Sequence, residues 1–295
     1  MKGAFKIIIF LALGLALTGA VTGPAFAMEL PSAEFQQANV QLLQQQQGLT
    51  LKPNGAYWRN CLNDTAYILT APTRWQRTDW LKASIVTGTA LLLVLSDEQI
   101  REVVQTKRNR ISDGVANLFS YGGELQFILP GLGLLYLYGS INGEDKPLQA
   151  GLYGLESLVI TSGLTYTLKL LGHRCRPGAG DSGAWDGPGL SFDDAHLSFP
   201  SGHSALAFST AGIIAAVYGE DNWLAPVLAY GIAGLTAWSR VNDDQHWASD
   251  IFFGSVLGYC TARAVAGRHL KQESKWIFLP LWNGEGMGLN FIYKF

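Results

Sequence analysis

Apolar residues gather in six long segments separated by shorter polar stretches, which is the pattern of a helical bundle. The segments lie at about 82–96, 124–142, 148–169, 204–219, 223–240 and 248–267. Glycine and alanine recur in them and allow close packing of helices. Because short connections make consecutive helices antiparallel, the third-to-fourth and fifth-to-sixth connections share one end of the bundle. The sequence therefore predicts an all-α fold with a six-helix core.

Both ends of the chain depart from this pattern. Lys2 and Lys6 precede an apolar run, and Ala25-Phe26-Ala27 has the form of a cleavage site, so residues 1–27 are interpreted as a secretory signal peptide. An uncleaved first transmembrane helix is the alternative. Near the other end, Asn283-Gly284-Glu285-Gly286 separates two aromatic-rich runs and predicts a short C-terminal β-hairpin.

The pattern leaves open whether the helices span a membrane. The charge-free runs 125–142 and 222–239 approach the roughly 20 residues that a span requires. Glu156 and Arg263 interrupt two other segments. With a cleaved signal, three spans before residue 169 would put the following loop in the cytoplasm. We therefore expect an exported protein on the periplasmic face that is held at the membrane, with an integral multi-pass protein as the alternative.

Composition changes this picture little. The net charge of −2 and the lack of a basic stripe give no reason to expect a nucleic-acid partner. Cys61, Cys175 and Cys260 permit at most one disulfide in an exported protein, and a Cys61–Cys175 bridge is one possibility. We find no His, Cys and carboxylate residues at metal-ligand spacing, so no metal and no cofactor is expected.

Three short motifs in the second half carry the candidate chemistry. They are Lys169-x6-Arg176-Pro177, Pro200-Ser201-Gly202-His203 and Ser239-Arg240-x5-His246-x3-Asp250. Together they supply three cations, two histidines and a carboxylate. Such a set can bind a phosphoryl group, attack it and protonate the leaving group.

Local spacing suggests two of the roles. His246 and Asp250 are four residues apart, so on a helix the carboxylate could hold one ring nitrogen while the other acts as a nucleophile. The backbone amides of Ser201 and Gly202 would face an anion at a helix N-terminus. An ordinary helix-surface pair and an ordinary serine N-cap are the alternatives. Spacing alone does not choose the general acid among the remaining histidines.

In this order the motifs resemble the signature of the type 2 phosphatidic acid phosphatase superfamily, which also contains bacterial acid phosphatases and vanadium-dependent haloperoxidases. All eleven signature residues are present between residues 169 and 250. The resemblance implies a six-helix core of the acid phosphatase and haloperoxidase type. It also implies that His203 is the general acid and His246 the nucleophile, oriented by Asp250. The implied phosphate-binding residues are Lys169, Arg176, Ser201, Gly202 and Arg240.

The resemblance implies a metal-independent phosphomonoesterase that works through a phosphohistidine on a phosphorylated lipid or a small phosphoester. A vanadium haloperoxidase, with vanadate as its cofactor, and a non-enzymatic phospholipid-binding protein are the alternatives. The expected domains are the signal peptide 1–27, an N-terminal extension 28–80, the catalytic domain 81–270 and a hairpin appendage 271–295. The polar loop 178–199 between the first two motifs could form a lid over the site.

Overall fold

The computed structural model describes residues 53–179, 184–189, 191 and 193–270, together with the backbone of 276–283 and 286–293. The predicted signal peptide and most of the N-terminal extension lie outside these residues. The described part contains eight α-helices. They are α1 (Gly55–Leu69), α2 (Arg77–Lys107), α3 (Arg110–Ser120), α4 (Leu125–Asn142), α5 (Asp145–Gly172), α6 (Gly202–Tyr218), α7 (Leu224–Asn242) and α8 (Ala248–His269).

The helical character predicted from the apolar segments is confirmed, since the six segments fall within α2 and α4 to α8. Helices α1 and α3 were not among them because their sequences are too polar to stand out as apolar runs. Local caps define their starts instead. The Asn54 side chain accepts hydrogen bonds from the first amides of α1, and Asn109 does the same for α3.

The centre of the bundle is the contact between α6 and α8, where glycines let the two backbones meet. A methyl group at Gly254 would lie 2.5 Å from the carbonyl oxygen of Ser201, and one at Gly258 would overlap the carbonyl oxygen of Ala205. On α6, a methyl group at Gly212 would lie 2.5 Å from the side chain of Ala262. This close approach sets the distance between the starts of the two helices.

Large apolar side chains cover the outer faces of α2, α4 and α7, a surface that we call the apolar girdle. Its members are exposed and include Ile85, Leu91, Leu92, Leu95, Phe127, Leu134, Leu137, Ile141, Leu224, Val227, Leu228 and Ile232. The buried core on α5, α6 and α8 is by contrast built largely from alanine and medium-sized aliphatic residues. Extended exposed apolar surface of this kind marks a contact with a partner or a membrane.

Helix α2 carries the most extended part of the girdle. Among the described helices it alone is long and apolar enough to cross a membrane by length and composition, and none of its most apolar stretch is buried. Trp75 and Trp80 pack edge to face at its start, with ring centroids 4.9 Å apart. At its other end Arg101 pairs with Asp244 between α7 and α8.

Near the C-terminus the backbone forms two antiparallel strands, β1 (Trp276–Asn283) and β2 (Gly286–Tyr293). Trp276 lies opposite Tyr293, and Asn283 opposite Gly286. The predicted packing of this pair against the helical domain concerns side chains outside the described set, and it stays a prediction.

The glycine contact gives a prediction with a control on the same helix. Gly258→Ala should destabilise the protein by about 1–3 kcal/mol or more, because the new methyl group meets the backbone of α6. Gly267→Ala should be neutral or stabilising, since its methyl group would have no atom within 4 Å and alanine favours a helix. Thermal unfolding of both variants measures the difference, and equal stability would contradict the packing argument.

Candidate active site

Four helix ends bring the three motifs together. Lys169 lies in the last turn of α5, Ser201 caps α6, and Arg240 lies in the last turn of α7. His246 precedes α8 by two residues, and Asp250 occupies the first turn of that helix. The ends of α5 and α7 and the starts of α6 and α8 thus bring the motif residues together at one end of the bundle.

A backbone carbonyl orients His246. Its Nδ1 atom lies 2.8 Å from the carbonyl oxygen of Ser198, whereas the nearest oxygen of Asp250 is 3.9 Å away. Because a carbonyl oxygen only accepts, Nδ1 must carry the proton, and the lone pair is left on Nε2. Asp250 stays within ion-pair distance of the ring, so the expectation that it orients His246 stays a prediction. His246 lies before the helix begins, so the two residues do not share a helical turn.

Asp250 acts on the loop that holds His246. Its Oδ2 atom accepts hydrogen bonds from the Ser198 hydroxyl at 2.5 Å and from the backbone amide of Trp247 at 3.0 Å. Burial alone would raise the pKa of this carboxyl, but contacts with His246, Arg174 and Ser198 outweigh it and lower the pKa. Asp250 thus stays ionised and fixes the residues on both sides of the imidazole.

Sequence reasoning missed Arg174, which lies inside the spacer of the first motif. Its guanidinium donates to Asp250 Oδ1 at 2.7 Å and to Asp97 Oδ2 at 2.8 Å. Asp97 in turn accepts from the backbone amide of Ser249 at 2.9 Å. Arg174, Asp97 and Asp250 are all buried. A buried arginine is rarely left unpaired, but only the fold shows which carboxylates pair with it.

The second motif forms the capped start of α6. Ser201 accepts from the amide of Ser204 at 3.4 Å, and its own amide donates to the carbonyl of Asp250 at 3.0 Å. The predicted role of that Ser201 amide as an anion donor is therefore wrong, because the amide is already used. Gly202 has open space where a side chain would be, with no atom within 4 Å. Its amide remains the candidate anion donor.

His203 is held from behind by a glycine. A methyl group at Gly123 would lie 2.6 Å from the His203 Cβ and 2.7 Å from its Cα. Gly123 belongs to the 3-10 turn Tyr121–Gly123 between α3 and α4. No pattern in the sequence links this turn to the second motif.

The three motif cations already have partners. Lys169 donates to the Leu197 carbonyl, and Arg240 pairs with Asp243 at 2.5 Å. Arg176 pairs with Asp194 at 2.7 Å and also donates to the carbonyl of Gln245 at 3.0 Å. Arg240 Nε is buried and has no hydrogen-bond partner among the described residues. The cations are thus oriented before any anion binds.

Burial and these cations keep both motif histidines neutral. Burial is the main cause that lowers the pKa of His203 to about 4, and the positive charge of Arg240 adds to it. Burial likewise lowers the pKa of His246 to about 4, with further lowering by Lys169 and Arg176 against the opposing effect of Asp250. A bound phosphate would place negative charge among the same groups and raise both pKa values.

The Cys61–Cys175 bridge considered above is not formed in this structure. Cys61 lies on α1, while Cys175 lies in the loop after α5, where its Sγ atom is 3.2 Å from His196 Nδ1. All three cysteines are described, and none forms a disulfide. The loop around Cys175 is instead tied to the site by Trp247, whose indole donates to the Cys175 carbonyl at 2.9 Å.

Comparisons with known proteins agree with this architecture. Residues 150–273 match the family model of the PAP2 superfamily. This match confirms the resemblance to the type 2 phosphatidic acid phosphatase superfamily. A lipid A 1-phosphatase of Porphyromonas gingivalis is 39% identical over 61 residues, which are 21% of this chain and 14% of that relative. The match therefore covers only a small part of that relative.

Two solved structures are similar to the chain. The crystal structure of a PAP2 type phosphatidylglycerolphosphate phosphatase from Bacillus subtilis is 22% identical and has a TM-score of 0.51, over 65% of this chain and 97% of that one. The crystal structure of Aquifex aeolicus LpxE is 20% identical with a TM-score of 0.46, over 59% and 94% of the two chains. The first likeness supports a shared helical fold.

The histidine environment predicts an unusual pH profile. The acid limb of kcat/KM should lie near pH 4, because the neutral form of His246 persists down to that pH. The alkaline limb of kcat should lie higher, in the mildly acidic to neutral range, since bound phosphate raises the pKa of His203. Initial rates on a soluble phosphate ester across pH test this, with a return to pH 7 as the check for unfolding. An acid limb near 6.5, the ordinary histidine value, would contradict it.

Proposed function

We propose that this chain is a phosphatase that hydrolyses the phosphate monoester of a lipid through a phosphohistidine at His246. The observation that carries the proposal is the fixed tautomer of His246. Its Nδ1 proton is bound to the Ser198 carbonyl at 2.8 Å, so the Nε2 lone pair is available as a nucleophile. Lys169 and Arg176 lie close enough to lower its pKa, and they would attract the phosphate.

In the first step His246 Nε2 forms a bond to phosphorus as the bond from phosphorus to the ester oxygen breaks. His203 donates its proton to that oxygen, and the alcohol leaves. In the second step neutral His203 takes a proton from water, the oxygen of which attacks phosphorus and releases inorganic phosphate and free His246. Arg176, Arg240 and Lys169 would stabilise the charge on the equatorial oxygens, with the Gly202 amide as a further donor. This cradle of cations would supply the electrostatic stabilisation that a metal gives elsewhere.

A lipid substrate is supported by an apolar groove along α8, the helix that carries Asp250 in its first turn. The groove has a volume of about 360 Å³ and runs between α6 and α8. Its lining residues are Phe208, Phe252, Ser255, Val256 and Tyr259. Phe252 follows Asp250 by two residues, so along the helix axis the groove begins at nearly the same level as the candidate catalytic residues, on another face of α8. It would hold part of the apolar half of the substrate.

The apolar girdle supports contact with the hydrocarbon of a bilayer. Its residues on α2, α4 and α7 are exposed over several turns, and burying them in lipid removes that apolar surface from water. The tryptophans at the start of α2 suit a membrane interface. The girdle favours an integral bundle over the surface-held domain expected from sequence. Export to the periplasmic face stays a prediction.

Substitution of the two histidines tests the mechanism. His246→Ala should abolish turnover and phosphoenzyme formation, because the variant lacks the proposed nucleophile. His203→Ala should slow esters of alkyl alcohols far more than esters of nitrophenol, because a good leaving group needs no proton. Rates are measured without added metal and in chelator, with acid-quenched trapping of labelled phosphoenzyme. Equal loss on both esters would remove His203 from the role of acid. Loss of wild-type activity in chelator, in protein that stays folded, would contradict metal-independent hydrolysis.

The groove gives a separate prediction about the substrate. Val256→Trp should fill part of the groove and lower kcat/KM for a long-chain lipid phosphate at least severalfold. The same variant should hydrolyse a short soluble ester at the wild-type rate, because the phosphate cradle is unchanged. Parallel assays in mixed micelles and in buffer measure the ratio. An equal effect on both substrates would place the lipid elsewhere.

Membrane extraction tests the location. Carbonate washing at high pH removes proteins that are bound at the surface of a membrane, whereas proteins with inserted helices stay until detergent is added. We expect the chain to stay in the membrane fraction, because the girdle needs an apolar environment. A known peripheral protein in the same membranes serves as the control. Release by carbonate would instead support the surface-held domain.

A further inference from the structure

A second cluster of ionisable side chains lies where α1, α5 and α8 meet. Asp64 comes from α1, Glu156 from α5 and His269 from the last position of α8. His269 Nε2 lies 2.8 Å from Asp64 Oδ2 and 3.0 Å from Glu156 Oε2. One oxygen or nitrogen from each residue lies within 4.8 Å of the other two. The candidate mechanism uses none of these residues.

Hydrogen bonding does not satisfy the cluster. Asp64 and Glu156 are each 1% exposed. Within the described part of the chain, four atoms are buried without a partner in hydrogen-bond geometry: both carboxylate oxygens of Glu156, Oδ2 of Asp64 and Nε2 of His269. Arg268 binds Asp64 through its other oxygen, Oδ1. The imidazole nitrogen and the carboxylate oxygens that face it are therefore close together but poorly aligned for a hydrogen bond. Burying carboxylates without hydrogen bonds costs folding free energy.

The donor set matches a divalent transition metal. Ligands at about 2.0–2.1 Å in a tetrahedron stand about 3.3 Å apart, close to the separations from Nε2 to the two carboxylates. Cys61, one turn before Asp64 on α1, lies near the same carboxylates: burial raises the pKa of its thiol, and the charges of Glu156 and Asp64 raise it further. An imidazole nitrogen and two carboxylate oxygens suit Zn²⁺.

We propose that Asp64, Glu156 and His269 bind a structural zinc ion. The ion would fasten α1 to α5 and α8. Arg268 would stay paired with Asp64 outside the metal site. The Tyr153 ring stacks on the His269 ring at 4.5 Å and would hold the imidazole in place. The site is separate from the motif residues and takes no part in phosphate chemistry.

The competing state is a proton in place of the metal. Burial lowers the pKa of His269, but its contacts with Asp64 and Glu156 outweigh burial and raise it to about 9. The metal-free cluster would hold an imidazolium between two carboxylates, with Arg268 beside them. A raised pKa stabilises the fold fully below the unfolded value of about 6.5, and this stabilisation is lost as the pH rises through about 9. Zinc binding has the opposite dependence, because acid protonates its ligands.

Metal analysis of the purified full-length chain tests the proposal. The protein is purified in detergent with a tag that contains no histidine, and its zinc content is measured by mass spectrometry. We expect one zinc ion per chain in the wild type and loss to background in Glu156→Gln and Asp64→Asn. Asp186→Asn is the matched control, since it alters the more exposed cluster of Cys175, Asp186 and His196, and it should keep its zinc.

A second measurement covers the case in which the variants fail to fold. Chelator-stripped wild type should regain thermal stability on adding Zn²⁺, and Co²⁺ bound in its place should give a visible absorption band. A folded wild type that carries no zinc, and gains no stability from added Zn²⁺ between pH 7 and 8, would overturn the proposal. If the thermal stability declines as the pH rises through about 9 and does not respond to metal, the cluster holds a proton on His269 instead of a metal ion.

Discussion

The candidate site depends on one buried guanidinium. Arg174 lies between Asp97 and Asp250, with bonds of 2.8 and 2.7 Å, and all three side chains are shielded from water. These two hydrogen-bonded ion pairs link the loop after α5 to α2 and to the start of α8. Removing one partner of such a network leaves a buried charge without compensation, at a cost of about 3–5 kcal/mol. The orientation of the imidazole of His246 thus rests on a residue that is not among the candidate phosphate ligands.

The sequence predicted the helices and the candidate chemistry for different reasons. Long apolar periodicity identifies core helices wherever it is continuous, so α4 to α8 were predictable, whereas the short polar helix α3 was not. The motif residues were identifiable because their types and order are specific. The Ser198 carbonyl was not, since every residue has a carbonyl and only the fold selects one. The roles of Gly123 and Asp97 could not be predicted for the same reason, because their contacts join distant parts of the chain.

The candidate phosphate-binding cations are already bound to side chains and carbonyls of the protein, and these contacts affect how the site can bind an anion. Arg176 is held by Asp194 and by Gln245, and Arg240 by Asp243. Rigid partners reduce the entropy that a long side chain loses when it grips a phosphate, but they also compete for its N–H donors. Arg240 Nε still lacks a partner within the described part of the chain. A phosphate that uses this donor would gain a hydrogen bond without breaking one.

The contact between α6 and α8 limits how the protein can change. At Gly254 and Gly258 the neighbours are the carbonyl oxygens of Ser201 and Ala205, which belong to the backbone. A larger residue there cannot be accommodated by a smaller side chain on α6, because every substitution on α6 keeps its carbonyls. No second substitution on α6 can therefore make room for a larger residue at these two glycines, and the distance between the second and third motifs cannot readily change. New specificity would have to arise in the loop between α5 and α6 or along the groove, where side chains line the walls.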